Sequence, residues 1–346
     1  MRPHYPILDG LRGTAALLVV IFHLFEASFP VYTDNPMHHG YLAVDFFFLL
    51  SGFVVAYAYD DRWEYMSVID FFKIRFVRLH PLVMLSVVIS VLAFALDPYN
   101  NSEQIPALKI IGVTLLTFTL LPTPDLRGWG ETHTLNGPLW SLFQEYMANI
   151  FYAWFGHRIG IKLLWGLVLI SACVLTATSI HHGDIGTGWS YETFWIAFVR
   201  MVFPFLAGIL LFRSRKLIRI PMAYAICSAL LFFLFSLPVF AYNGLYDAVC
   251  IIFVFPFIIA AGAGGTISGK WAKVCKFSGD ISYPIYIIHY PFIYIYTSWV
   301  GIKKPAPTEL FAVGSGLFIL FIVLAFAALK LYDEPFRAWL KKRILK

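Results

Sequence analysis

The sequence Leu8-Asp9-Gly10-Leu11-Arg12-Gly13 opens an apolar segment, Thr14 to Phe25, that contains His23. On an ideal helix the step from Arg12 to His23 turns through about 1100°, within ~20° of three full turns, and spans ~16 Å. The two side chains therefore share one face of a predicted helix. Ionisable groups inside apolar segments are costly and usually mark a site that faces protein or a cavity. The structural alternative is a satisfied core histidine beside an arginine at the membrane interface.

The composition is that of a polytopic membrane protein. The 346 residues are 60% hydrophobic and 13% charged, with a mean hydropathy of +0.74, whereas soluble domains carry about 25% charged residues. With ~20 apolar residues for each span, this length allows at most about a dozen helices. We therefore predict an all-α polytopic integral membrane protein with one domain over residues 1–346 and no extra soluble domain.

The net charge of +6 does not require a nucleic-acid partner, because lysines and arginines concentrated in cytoplasmic loops give the same excess. The four cysteines show no CxxC pair and no metal-ligand spacing, so we expect reduced thiols that pack as small hydrophobes. The sequence contains no Walker loop, GxGxxG element or metal-ligand cluster. Since no small-residue cleavage site follows the first apolar run, we expect this run to be retained as a helix.

Eleven apolar segments can be drawn, at residues 13–29, 41–59, 79–96, 106–122, 138–156, 161–180, 194–212, 219–239, 245–263, 280–299 and 309–332. If all eleven cross the membrane, the basic residues between 157 and 162 share a side with the lysine-free loops 30–40 and 97–104. That arrangement breaks the positive-inside rule. If residues 106–122 enter and return on one side, ten spans remain and the basic loops fall on one side.

The ten-span arrangement predicts cytoplasmic termini and a multi-pass protein of the inner or plasma membrane. The segment 106–122 is bounded by prolines and carries Lys109 and three threonines, which suits a re-entrant element packed against protein. Three basic residues are not on the predicted cytoplasmic side and so do not follow the positive-inside rule: Lys303, Lys304 and Arg127. The basic segments predicted to be cytoplasmic are 62–78, 157–162, 213–219, 270–276 and 337–346.

The second segment carries Asp45, Ser51 and Gly52. Small residues permit close helix approach in membranes, and packing alone would explain Ser51 and Gly52. Asp45 lies one turn below the outer interface, where a carboxylate needs a partner or water.

Arg75 and Arg78 follow the second segment at i, i+3 spacing, so on a helix both point to one side. Two guanidinium groups side by side suit a phosphate ligand. The alternative is ordinary positive-inside charge.

Three further segments carry buried polar groups. Pro138 suits the first turn of a helix on which Ser141 and Glu145 share a face, with Glu145 ~10 Å below the outer interface and His23 at a similar depth. Arg200 needs an anionic partner because arginine does not deprotonate, and Glu145 and Asp45 are both candidates. His289 lies among aromatic residues and is interpreted as structural.

Six motifs carry a resemblance to a known family, and their order along the chain makes it specific. They are Leu8-Asp9-Gly10-Leu11-Arg12-Gly13 with His23, Phe47-Phe48-Leu49-Leu50-Ser51-Gly52-Phe53, Arg75-Phe76-Val77-Arg78, Trp140-Ser141-Leu142 with Glu145, Ser282-Tyr283-Pro284-Ile285-Tyr286 with His289, and Glu334-Pro335. Together they resemble the membrane-bound acyltransferase-3 family over nearly the whole chain. The resemblance implies a ten-helix protein that moves an acyl group, commonly acetyl, from cytoplasmic acyl-CoA to a hydroxyl of a sugar, glycolipid or envelope glycan.

Residue chemistry is compatible with that activity. Acyl transfer to an alcohol needs a base, and a buried neutral imidazole suits that role. His23 would serve as this base or as a nucleophile that carries the acyl group. The predicted catalytic residues are His23, Glu145 and Asp45, the predicted acyl-CoA ligands are Arg12, Arg75 and Arg78, and the predicted substrate contacts are Trp140, Ser141, Arg200 and Ser51.

A proton-coupled transporter or flippase is the rival hypothesis, because buried carboxylates and a central histidine also suit a substrate path. Inverted hydropathy repeats would favour it, and none is evident in the sequence. A scaffold protein would not need buried charges. The expected partners are a coenzyme A thioester, a carbohydrate or glycolipid acceptor and the lipid bilayer, with no metal and no nucleic acid.

Overall fold

The computed structural model describes residues 4–29, 31–100 and 104–345, which are almost entirely helical. Two π-helical segments, Cys250–Val254 and Ala328–Asp333, join α9 to α10 and α13 to α14. The helices are α1 Pro6–Ser28, α2 Ala43–Tyr59, α3 Val68–Ala95, α4 Ala107–Phe118, α5 Leu139–Trp154, α6 Ile161–His182, α7 Phe194–Ser214, α8 Ala223–Phe235, α9 Asn243–Val249, α10 Phe255–Gly264, α11 Gly269–Ile288, α12 Tyr290–Lys303, α13 Pro307–Ala327 and α14 Glu334–Ile344.

Seven helical runs of the described chain are long and apolar enough to cross a membrane: Pro6–Ser28, His38–Arg62, Val68–Ala95, Ile161–His182, Phe194–Ser214, Asn243–Gly264 and Pro307–Ile344. The remaining longer elements are α5, α8 and the pair α11–α12, which follow one another across His289. By contrast, α4 and α8 are only ~18 and ~20 Å long, shorter than a hydrocarbon core of ~30 Å. The protein is therefore an all-α polytopic membrane protein with seven long apolar runs among the described residues and with α4 and α8 as shorter apolar helices.

Contacts between helix ends define one face of the bundle. Asp60, just after α2, accepts hydrogen bonds of 2.7 and 2.8 Å from Arg213 at the end of α7 and one of 2.7 Å from Tyr152 near the end of α5. Tyr5, before α1, packs on Tyr57 with ring centroids 5.1 Å apart. The start of α1 therefore lies with the ends of α2, α5 and α7, and we call this end of the bundle the arginine face.

Glycines bring α1 directly against α11. A Cβ atom on Gly13 would lie 2.4 Å from the Cβ of Ser278, and one on Gly10 would lie 2.5 Å from the Sγ of Cys275. Such distances are closer than real Cβ contacts, so the two helix backbones approach as only glycine allows. The opening stretch of the sequence thus sets the helix contact that frames the site.

A second backbone contact joins α2 to α7. A Cβ on Gly52 would lie 2.0 Å from the carbonyl oxygen of Phe205, and one on Gly208 would lie 2.1 Å from that of Leu49. The predicted close helix approach at Gly52 is confirmed, and it needs the second glycine on α7.

The start of α3 differs from the prediction. Helix α3 begins at Val68 rather than near residue 79, because Ser67 caps it. The Ser67 hydroxyl accepts a 3.1 Å bond from the Asp70 amide, and the Asp70 carboxylate accepts a 3.2 Å bond from the Ser67 amide. This capping box adds nearly three turns to the helix. Arg75 and Arg78 therefore lie inside α3 rather than in a loop.

Candidate functional site

A cavity of about 560 Å³ lies toward the arginine face, between α1, α2, α3, α5, α11 and the start of α14. Its inner wall is apolar and its other walls are charged. The charged lining residues are Arg12, Arg75, Arg78, Glu145, Lys276, Asp280, Asp333, Glu334 and Arg337. The three arginines predicted to bind a polyanion thus line one space.

Glu145 holds Arg75 in the cavity wall. Its Oε1 atom accepts a 2.6 Å bond from Nη2 of Arg75, a 2.7 Å bond from the Ser51 hydroxyl and a 3.3 Å bond from Asn149. The Nε of Arg75 is buried and has no partner among the described residues. Of the two candidate partners for Arg200, Glu145 is excluded because it pairs with Arg75.

Arg12 and Arg78 differ in how they are held. The Arg12 guanidinium donates to the Ser282 hydroxyl and to the Gly279 carbonyl, both at 2.9 Å. Arg78 lines the cavity, is accessible, and makes no hydrogen bond or ion pair with any residue that the structure describes. A free guanidinium offers a planar fork of donors to an anion.

The cavity ends at Ser141 and Tyr286, whose hydroxyl oxygens are 2.6 Å apart. Ser141 donates its single proton to the Pro138 carbonyl at 2.9 Å, so the Tyr286 hydroxyl donates to Ser141. The His289 ring lies beyond, 6.3 Å from the Tyr286 ring and 5.5 Å from the His23 ring. His23 therefore lies behind two aromatic rings, outside the cavity lining.

His23 forms a pair with a residue that the sequence reasoning missed. Its Nδ1 is 2.8 Å from Oε2 of Glu26, and its Nε2 makes no hydrogen bond in the described part of the chain. A carboxylate on Nδ1 fixes the tautomer with Nε2 unprotonated, which is the basic form. The i, i+3 spacing of His23 and Glu26 was a signal available in the sequence.

The prediction that Glu145 and His23 lie at a similar depth was wrong. His23 lies roughly 25 Å from the start of α1 and about 8 Å from its end at 1.5 Å per residue, so it is near the face opposite the arginines. Glu145 instead lies at the level of Arg75. The reason is that α5 starts deep, because Thr132, Thr134 and Asn136 of the preceding connection are fully buried.

Asp45, Arg200 and Trp140 lie outside the cavity lining. Arg200 donates to Asp45 at 2.5 and 3.2 Å, and both residues are almost completely buried. The guanidinium also donates to the carbonyls of Thr187 and Tyr41, both at 2.8 Å, and lies 5.3 Å from the Trp140 ring centroid. These contacts satisfy the pair internally, as a structural ion pair requires.

Comparison with known proteins shows the family to which this chain is similar. The model of the acyltransferase-3 family, described as an acyltransferase domain, matches residues 5–330. Protein 2 in the picA locus of Rhizobium radiobacter is 34% identical over 185 residues, covering 49% of this chain and 91% of the relative. No solved structure matches the chain significantly.

Two other curated relatives are longer proteins. Peptidoglycan O-acetyltransferase OatA of Listeria monocytogenes is 25% identical over 331 residues, covering 88% of this chain and 52% of the relative. Acyltransferase MdmB of Streptomyces mycarofaciens is 30% identical over 226 residues, covering 60% of this chain and 56% of the relative. The alignments thus span about half the length of these two relatives. Because the family model covers nearly the whole chain, this polytopic membrane protein belongs to the acyltransferase-3 family and is an acyltransferase.

Proposed function

We propose that the protein transfers an acyl group, commonly acetyl, from acyl-CoA to a hydroxyl of a sugar, glycolipid or envelope glycan. The observation that carries the proposal is the cavity with three arginines, among which Arg78 has no partner within the described ranges of the chain. Coenzyme A is polyanionic, and guanidinium groups bind phosphates through paired, charge-assisted hydrogen bonds. The relative named as a peptidoglycan O-acetyltransferase supports a carbohydrate acceptor.

In this proposal the arginine face is cytoplasmic, as are both termini. The donor enters with its thioester toward Ser141 and Tyr286 and its phosphates on Arg12, Arg75 and Arg78. Glu145 serves to position Arg75, because its carboxylate accepts from that guanidinium. Asp45 and Arg200 have a structural role in this proposal, because they neutralise each other away from the cavity.

His23 is proposed as the base. Its unprotonated Nε2 takes the proton of the acceptor hydroxyl while the acceptor oxygen forms a bond to the acyl carbon. The carbon–sulfur bond of the thioester then breaks, and the proton taken up by His23 is released to the leaving coenzyme A thiolate. Glu26 stabilises the imidazolium that forms. Formation of an acyl-imidazole at His23 remains the alternative route, and in either route the acyl group passes Tyr286 and His289.

The test is an acyl-transfer assay on purified protein in lipid nanodiscs. Acetyl-CoA labelled in the acetyl group is supplied with an extract of envelope glycans and glycolipids, and alkali-labile ester is counted together with released coenzyme A. We expect ester formation by the wild type, none by His23→Gln, and equal coenzyme A affinity in both. A wild type that binds coenzyme A but never releases an acyl product would contradict the proposal and favour the transporter hypothesis.

A further inference from the structure

Two more cations line the cavity in addition to the three arginines proposed to bind the donor phosphates. They are Lys276 on α11 and Arg337 on α14. The side chains of Lys276 and Arg337 are 75% and 35% exposed, whereas that of Arg75 is 6% exposed. Lys276 and Arg337 therefore form the outer rim of the cavity, and Arg75 belongs to its interior.

The positions of these residues along their helices agree with this order. Lys276 lies one turn closer to the arginine face than Gly279, whose carbonyl binds Arg12. Arg337 lies one turn beyond Asp333, which ends the π-helical segment before α14. One turn of helix corresponds to ~5.4 Å, so each rim cation lies about one turn farther along its helix than the group it is compared with.

Helix α14 is a part of the site that the family match does not include. The matched residues are 5–330, whereas Glu334–Ile344 form α14. The preceding π-helical turn, Ala328–Asp333, interrupts the regular helix at the cavity wall. Such π-bulges frequently occur at functional sites. The cavity rim thus includes a residue of α14, Arg337, that lies beyond the matched range.

Each rim cation is held by a carboxylate on its own helix. Lys276 is 2.7 Å from Asp280, and Arg337 is 2.7 Å from Asp333. The Nε of Arg337 is buried and has no partner among the described residues, as is also true of Oδ1 of Asp333. The pairs fix the positions of the two cations, whose side chains remain 75% and 35% exposed, and two fixed cations suit a phosphate monoester, which carries about −1.5 to −2 charges.

We infer that Lys276 and Arg337 form an outer phosphate subsite that binds the 3′-phosphate of the coenzyme A ribose. This inference rests on the proposed function. The thioester end must reach Ser141 and Tyr286, so the nucleotide end lies at the rim. From the thioester outward, coenzyme A carries the pantetheine arm, the diphosphate and then the ribose 3′-phosphate. The diphosphate contacts Arg12, Arg75 and Arg78, and the 3′-phosphate contacts Lys276 and Arg337 at the rim.

The consequence is selectivity for coenzyme A over dephospho-coenzyme A, which lacks only the 3′-phosphate. Calorimetry in phosphatidylcholine nanodiscs tests this, because no anionic lipid headgroup is present to occupy the rim. We expect wild type to bind coenzyme A at least about tenfold more tightly than dephospho-coenzyme A, a charged hydrogen bond's worth. Arg337→Gln should reduce this ratio to below about threefold while leaving the affinity for dephospho-coenzyme A unchanged.

Three variants complete the experiment. Lys276→Gln removes an exposed cation without touching a buried pair, so it tests the rim even if Arg337→Gln fails to fold. Arg337→Lys keeps the pair with Asp333 and should keep most of the selectivity. Arg343→Gln is the matched control, since Arg343 is on the same helix and does not line the cavity. It should behave as the wild type.

The outcomes separate this inference from the proposed function. Wild type that binds neither ligand overturns the donor assignment itself. Wild type that binds both ligands equally, or rim variants that weaken both ligands equally, leaves the donor site standing and overturns the 3′-phosphate subsite. If the rim instead served a lipid headgroup, the rim variants would alter binding of phosphatidylglycerol vesicles and leave the ligand ratio at its wild-type value.

Discussion

At the scale of single residues, the site divides into a guanidinium cluster near one face and a histidine–carboxylate pair near the other. Arg12 and His23 share one face of α1, as their spacing predicts, and the helix length separates them. The structure gives Arg75 a carboxylate partner, and Arg78 makes no hydrogen bond or ion pair with the part of the chain that the structure describes. The division matches a reaction whose donor is polyanionic and whose acceptor must lose a proton.

The Glu26 carboxylate is expected to position His23. Glu26→Gln should lower kcat by about tenfold or more, because an amide leaves the imidazole tautomer unfixed and the imidazolium unpaired. The KM for acetyl-CoA should stay unchanged, since Glu26 is far from the arginine cavity. Steady-state kinetics with varied acetyl-CoA measure both quantities. Glu26→Asp should restore part of kcat, and a purely structural role would instead lower thermal stability without this rescue.

The pair of Asp45 and Arg200 is expected to be structural. Asp45→Ala or Arg200→Ala alone should destabilise the protein by about 3–5 kcal/mol, because each leaves one buried charge unpaired. The double variant should be more stable than the sum of the two single changes predicts. Unfolding in detergent followed by tryptophan fluorescence gives these values. Normal stability combined with lost acceptor binding in the single variants would restore the substrate role expected from the sequence.

Glu131 makes part of the stability depend on pH. Burial raises the pKa of Glu131 to about 7, whereas an exposed glutamate has a value near ~4.3. The folded protein therefore holds this proton more tightly than the unfolded chain does, so the stabilisation is complete below about pH 4.3 and is lost as pH rises through 7. Glu131→Gln should remove this fall in Tm between pH 5 and pH 7.

The comparison with Glu131→Gln also cancels other titrating groups. Burial lowers the pKa of His133 to about 4, so this histidine destabilises the fold as pH falls below ~6.5. That contribution is the same in wild type and variant and disappears from the difference in Tm. Parallel Tm profiles for the two proteins from pH 5 to pH 8 would show that Glu131 titrates normally.

At the scale of elements, glycines allow helices to pack with their backbones in contact. Gly52→Ala should destabilise the protein by about 1–3 kcal/mol, the usual cost of overpacking, because its Cβ would lie 2.0 Å from the Phe205 carbonyl oxygen. Gly316→Ala is the control, since Gly316 has no atom of the described chain within 4 Å of its added Cβ. Thermal unfolding in one detergent compares the two. Equal Tm values for both variants would argue against a rigid contact between α2 and α7.

Sequence patterns predicted some elements of the site better than others. The fold class follows from composition, and the three arginines predicted to act together, Arg12, Arg75 and Arg78, line one cavity, while their binding of a polyanion stays a prediction. The start of α3 was missed because charges in its first turns hid the capping box at Ser67. The depth of Glu145 was missed because it depends on how the connection before α5 packs, which is a tertiary property.

At the scale of the whole molecule, the topology predicts that the connection from α3 to α5 lies on one side of the membrane. Single cysteines at Asn100 and Trp129, in a background with Cys173→Ala, should react with an impermeant maleimide from the same side of sealed cells. The reason is that the basic loops fall on one side of the membrane only if residues 106–122 enter and return on the same side. Labelling of the two positions from opposite sides would require eleven crossings and place the two termini on different sides.

The arginine cavity is proposed to bind the acyl donor through its phosphates, and calorimetry with coenzyme A measures this binding. Wild type should bind, Arg78→Ala should bind at least about tenfold more weakly, in line with a loss of roughly 1.5–3 kcal/mol for a charged hydrogen bond, and Arg78→Lys should recover part of the affinity. Arg343→Ala should match wild type. Equal affinity in wild type and Arg78→Ala, or no binding by a folded wild type, would contradict the account.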